Sequence, residues 1–147
     1  MTDVTSAFAA IRSRLDAGAG IPLRYQAEDV GPLPATPTVF AWAELLVERS
    51  QIVAFGGGVG ANTHRNYCTL LVYVFIPKGQ GMATSLPTAE TIAALFRSYR
   101  TADISCFESI VRPSGDGSQL APPGERSLVN NYWYALVEVS LFFDQVA

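Results

Sequence analysis

Few residues in this chain could carry chemistry, and they are scattered. Histidine occurs once, as His64, beside Arg65 and after the glycine-rich stretch Gly56-Gly57-Gly58-Val59-Gly60-Ala61-Asn62. A lone histidine could be a ligand or a pH sensor. A metal centre, however, takes three or four ligands and no second histidine exists, so His64 is expected to be a solvent-exposed loop residue. The glycines bare backbone N–H groups of the kind that cradle phosphate. Neither G-x-x-x-x-G-K-[ST] nor G-x-G-x-x-G fits, because Gly58-Val59-Gly60-Ala61-Asn62-Thr63 lacks the third glycine and no helical pattern follows. The expectation is a long hairpin loop that orders on assembly. Asp116, between Gly115 and Gly117, has no further oxygen ligands at EF-hand spacing and reads as a turn. Cys68 and Cys106 fit no zinc or redox motif and read as small core hydrophobes in a reducing compartment. Trp42 and Trp133 could stack on a ligand, but aromatics at strand spacing more often build a core or an interface. No convergent acid–base set emerges, so the sequence predicts no enzyme, no metal site and no cofactor.

The elements that hold these residues read clearly from periodicity. Val4, Phe8, Ile11 and Leu15 recur at helical spacing, with Thr2 or Asp3 as N-cap and Gly18 and Gly20 at the end, giving a helix over about 3–17. Pro22, Pro32, Pro34 and Pro37 then punctuate an arm with room for a short extended piece near Leu23 to Gln26. Strands are predicted over Val39 to Ala54, from Arg65 to Ile76, over Ile104 to Arg112, and from about Ser127 to Phe143. A second helix carries Leu86, Ile92, Ala93, Leu95, Phe96 and Tyr99, capped by Thr84 or Ser85 with Pro87 in its first turn. If that helix starts earlier, Pro87 must kink it. Two hairpins, each preceded by a helix, make an α+β two-layer domain: a mostly antiparallel or mixed four-stranded sheet with both helices on one face and long loops. At 147 residues one domain, 1–147, is expected, large enough for an unaided core.

Two of these strands are apolar on both faces. Cys68, Leu70, Val72, Val74 and Ile76 oppose Tyr67, Thr69, Leu71, Tyr73 and Phe75, while Trp133, Ala135, Val137, Val139 and Leu141 oppose Tyr132, Tyr134, Leu136 and Phe142. Doubly buried strands usually lie between two helix layers, and this chain has helices for only one. The aromatic face, which Trp42 joins from the first strand, is therefore expected to be a contact surface for another chain, the alternative being that long loops fold back over it. Its area would exceed the roughly 300–600 Å² usual for a monomer's largest apolar patch.

The net charge is −3, and the ten basic residues, all arginine but Lys78, form no stripe. Specific nucleic-acid binding is not expected. The longest apolar run, near Leu70 to Ile76, is far short of the ~20 residues of a membrane helix. Asp3 and an amphipathic pattern stand where a signal peptide would be, so a soluble protein made in a cytoplasm is expected.

The run from Arg65 through Phe75-Ile76-Pro77-Lys78-Gly79-Gln80-Gly81, followed by Ala83 and a helix ending Leu95-Phe96-Arg97, resembles the tail terminator-like proteins of long, flexible-tailed bacteriophages. The N-terminal amphipathic helix and the proline-punctuated arm are similar too. That family's arm often carries an asparagine where this chain reads Gln26-Ala27-Glu28-Asp29, so contacts made there do not carry over. The resemblance implies a small α/β domain without enzymatic activity. It implies a ring, typically hexameric, on the head-proximal end of the tail tube, which stops polymerisation and receives the head completion or connector protein. Its setting would be the host bacterial cytoplasm during assembly and then the virion tail. On this reading the subunit and tube contacts involve Trp42, Tyr67, Tyr73, Phe75 and Tyr134 of the aromatic face and His64, Arg65 and Asp116 near the loops.

Overall fold

A computed structural model describes residues 3–28, 36, 38–116 and 132–147. Two helices, α1 (Val4–Gly18) and α2 (Met82–Phe96), pack on one face of a sheet built from β1 (Leu23–Tyr25), β2 (Phe40–Ala54), β3 (Thr63–Pro77), β4 (Ser105–Asp116) and β5 (Tyr132–Val146). The strand order is β1-β2-β3-β5-β4, so β5 inserts between the two halves of the chain. The fold is α+β, as periodicity predicts, with five strands instead of four. The fifth is the short piece after Pro22. Proline lacks an N–H, but the Pro22 carbonyl accepts from the Ala41 N–H at 2.9 Å and starts a parallel pairing with β2. The other three pairings are antiparallel, and the sheet is therefore mixed.

Asp3 caps α1, its Oδ1 accepting the Ser6 N–H at 2.7 Å. The buried stripe is Ala7, Ile11 and Leu15, and Val4 stays exposed. Gly18 has a packing role: a Cβ there would stand 2.5 Å from a Leu95 methyl of α2, so its absence lets the helices meet closely. Arg14 strengthens this junction by donating to the Leu95 carbonyl at 3.0 Å with its guanidinium over the Tyr99 ring.

The second helix begins at Met82 after Gly81 and runs through Pro87 as one element. Thr84 and Ser85 are therefore not caps. Their hydroxyls donate to the Gln80 and Met82 carbonyls, and Ser85 is fully buried. Ala89, Ile92, Ala93 and Phe96 of α2 join α1 and the aliphatic sheet face, from Ala41 and Ala43 across Leu70, Val72 and Val74 to Val137, Val139 and Leu141, in one core.

His64 lies within β3, opposite Ile52, and not in a loop as expected, and Arg65, where the strand was expected to begin, pairs with Gln51. The hairpin turn is correspondingly short. It is tied down by mutual hydrogen bonds between Asn62 and the C-terminal Ala147, and by Gly57, where a Cβ would strike the Ala61 carbonyl at 2.3 Å. β4 likewise continues past Arg112 to Asp116, a bulge near Pro113 absorbing the proline. The expected turn at Asp116 is instead a strand end opposite Trp133. The other expected prolines of the arm and the loop after Asp116 lie outside the described residues.

Cys68 and Cys106 both pair with Leu141, from opposite sides. Two strand spacings put them about 9.6 Å apart, beyond the ~7 Å limit for a disulfide. Both are buried, and burial pushes each thiol up to about 11. The native protein is expected to leave a thiol reagent such as DTNB unreacted at pH 8 while releasing two equivalents after denaturation. Rapid native labelling would show that the sheet opens locally.

Candidate assembly interface

The expected division into an aliphatic and an aromatic face is present, but the aromatic face is less bare than its composition suggests. Phe40, Phe75 and Tyr132 form its inner corner, with Phe40 stacked on Phe75 at 4.9 Å and edge-on to Tyr132 at 5.2 Å. The Thr38 N–H donates to the Tyr132 hydroxyl, so the chain entering β2 crosses this corner. Trp42 stacks on Tyr73 at 5.9 Å, and Tyr134 meets Tyr73 edge-on at 6.0 Å. As a result Tyr73 is 8% exposed and Phe75 1% exposed. These two were expected at the contact surface and instead form a second core. The physical reason is lateral packing: aromatic rings on neighbouring strands cover one another without a second layer. Trp42 and Tyr134 remain half-buried and face outward at the cluster's rim.

Toward the other end of the sheet the same face becomes polar. Arg65 makes two bonds to Asp144, Nε to Oδ1 at 2.7 Å and Nη2 to Oδ2 at 2.8 Å, and lies over the Phe142 ring at 4.2 Å. Its hydrogen bonds hold the Asp144 carboxyl below the usual range. Arg49 covers Tyr67 at 4.3 Å, and Tyr67 leans on Phe142. Between the two ends lie Glu44, Glu48 and Glu138, with Glu48 accepting from the Thr69 hydroxyl and Glu138 from Arg112. Sequence reasoning missed Asp144 and Arg49 because their partners are set by strand register. His64 projects to the opposite face from Arg65, so these sequence neighbours do not act together.

Asp144→Asn should remove a modest, pH-dependent stabilisation, under about 1 kcal/mol for a pair this exposed. With its pKa depressed in the folded state, Asp144 contributes fully above its unfolded value near 3.8 and loses that contribution as pH falls further. Urea midpoints of the two proteins should therefore differ at pH 6 and converge near pH 2. A constant difference would assign the effect to something other than the ion pair.

What the sequence did not announce is the overhang. A 15-residue helix is about 22 Å long, whereas a 15-residue strand reaches about 50 Å. Past the end of β1, the half of β2 from Leu46 to Ala54 runs exposed throughout, presenting Leu46, Val47, Ile52 and Val53, with Phe55 at the tip 83% exposed, although Cys68 and Asn66 of β3 and Leu141 and Phe143 of β5, level with its first part, are buried. Among the described residues no three of His, Cys, Asp and Glu converge as metal ligands, and no helix is long and apolar enough to cross a membrane.

An α+β domain with a long, partly uncovered sheet describes the class to which this chain is confined by its geometry. No family model matches the chain, and no curated protein matches it. Among solved structures, one that carries no functional name covers 98% of this chain and 94% of its own length at 14% identity and a TM-score of 0.56. That likeness is one of fold alone.

Proposed function

We propose that this chain is a structural assembly protein of a phage or prophage tail, a tail terminator that closes into a ring on the head-proximal end of the tube. In this role it stops tube polymerisation and presents a surface to the head completion protein, and it catalyses no reaction. The observation that carries the reading is the uncovered half of β2: past the end of β1 its apolar residues stay exposed, and on the sheet face without helices the aromatics around Trp42 and Tyr134 are only half-buried. Exposed apolar surface of this extent marks contact with other chains. The resembling segment is consistent with it, since Phe75-Ile76-Pro77-Lys78-Gly79-Gln80-Gly81 ends β3 and turns directly into α2.

The hairpin tip from Phe55 to Asn62, in place of the longer loop expected from sequence, is then the segment directed at the tube. Its cleavage by protease should fall when ring or tube is present, and unchanged cutting would oppose a contact there. The deciding experiment is electron microscopy of particles from the parent phage or prophage after deletion of this gene. Over-long tails without heads are expected. Tails of normal length joined to heads would remove the role.

A further inference from the structure

Among the described residues the sheet has two open edges, and their chemistry is complementary. On β2, the β1 ladder ends at Tyr25↔Ala43, and the Gln26 side-chain carbonyl takes the Leu45 N–H as a following strand residue would. Ala27, at φ +60°, then turns the chain away. From Leu46 onward the outer edge of β2 has no strand beside it among the described residues. On β4, the Cys106 N–H is taken by the Tyr99 carbonyl and Ser105 by a bridge to Arg100, so its free edge begins at Phe107 and ends where Pro113 has no N–H to give.

We infer that the Leu46–Arg49 edge of β2 pairs antiparallel with the Glu108–Ile110 edge of β4 in a second copy of this chain, with Arg49 set opposite Glu108. Three observations single out this occupant. First, β2, β3, β5 and β4 alternate in direction, so β2 and β4 run oppositely, and a copy placed head to tail by rotation brings β4 antiparallel to β2. Second, the bulge between Val47 and Arg49 makes both faces match. With Arg49 opposite Glu108, Val47 falls opposite Ser109 on the helix side and Leu46 opposite Ile110 on the aromatic side. Each of these side chains already lies on that same side in its own sheet, as the partners Cys68 and Val139, and Thr69 and Glu138, show. Third, the charges are opposite, and Leu46 and Val47, each 44% exposed, would be covered. On the helix side of this edge lies an open, mainly apolar groove of about 330 Å³ lined by Val4, Thr5, Phe8, Gln26, Leu45 and Val47. The neighbour's α2, which is fastened to β4 by the Ser109 hydroxyl donating to the Ala93 carbonyl, arrives beside it. The contact joins two different surfaces of one chain, which is what a closed ring requires.

This inference rests on the self-assembly proposed above, and the experiment separates the two. The full chain is prepared as R49C and as E108C, and association is followed by native mass spectrometry while cross-linking is followed on non-reducing gels. Directly opposed antiparallel residues have Cα atoms about 4.5–5.5 Å apart, within disulfide range. Mixing the two variants should give a disulfide dimer, and an R49C/E108C chain a ladder of covalent multimers, with the buried native cysteines unreacted. Association without that bond, or R49C bonding to itself, overturns the edge pairing and leaves the ring. No association in any sample, with or without tail tubes, overturns both. As a second readout, R49E should weaken association about tenfold, and R49E/E108R should restore it. Restoration failing while both variants fold would also count against the pairing.

Discussion

Phe96→Ala is expected to lower stability by about 3–5 kcal/mol, the largest effect of any single truncation in the helix layer. Phe96 has no exposed surface, closes α2, and meets Tyr99 edge-on at 6.2 Å. Around it lie Ala89, Ile92 and Ala93 on its own helix and the aliphatic strand face below. Small side chains beside it cannot move in to fill the space, and the helix is already short of one hydrogen bond because Pro87 gives no N–H. Natural domains have a total of about 5–15 kcal/mol, so the variant should sit near the edge of folding. Urea unfolding monitored by circular dichroism would measure this. A loss below about 1 kcal/mol would mean that α2 is not anchored through this ring.

Tyr73→Glu is expected to destabilise the fold severely, whereas Trp42→Glu should leave it stable and impair assembly. The sequence treats these residues alike, as neighbours on an aromatic face. In the structure Tyr73 sits among Trp42, Phe75 and Tyr134, and burial, followed by the charge of Glu44, raises its phenol above the ordinary value. A carboxylate there would be desolvated and placed near Glu44 and Glu138 with no cation assigned to it. A penalty of about 3–5 kcal/mol is the scale for an uncompensated buried charge. The pH dependence has a definite sign. The introduced carboxyl would have a folded pKa above its unfolded value near ~4.3, so the variant should lose stability as pH rises through that interval and recover some at pH 4. Thermal melts at pH 4 and 7, with sedimentation of each variant, test both halves. A Tyr73→Glu protein that melts normally but no longer associates would return Tyr73 to the contact surface.

Much of the fold was legible because period-2 and period-3.6 patterns report which side of an element meets an apolar layer. β2, β3 and α1 fall within a few residues of their expected bounds, β5 runs past its expected end at Phe143 to Val146 while its expected start lies outside the described residues, and the aliphatic faces that meet the helices are those the alternation marks. The aromatic face was legible as a face. Its exposure was not, because alternation says which way Tyr73 and Phe75 point and nothing of what stands beside them. That depends on register, which sets Phe40 against Phe75 and Phe75 against Tyr134.

By itself, then, the sequence determined the class of element at most positions, the two-sided apolar character of β3 and β5, and the scarcity of groups for catalysis. Tertiary structure alone decided the insertion of β5 between β3 and β4, the recruitment of Leu23–Tyr25 as a fifth strand, the Arg65–Asp144 pair and the two open edges. The physical reason is range. Side-chain periodicity is set by bonds between neighbouring residues, while strand order, ion pairs and free edges are set by which distant segments exclude water together.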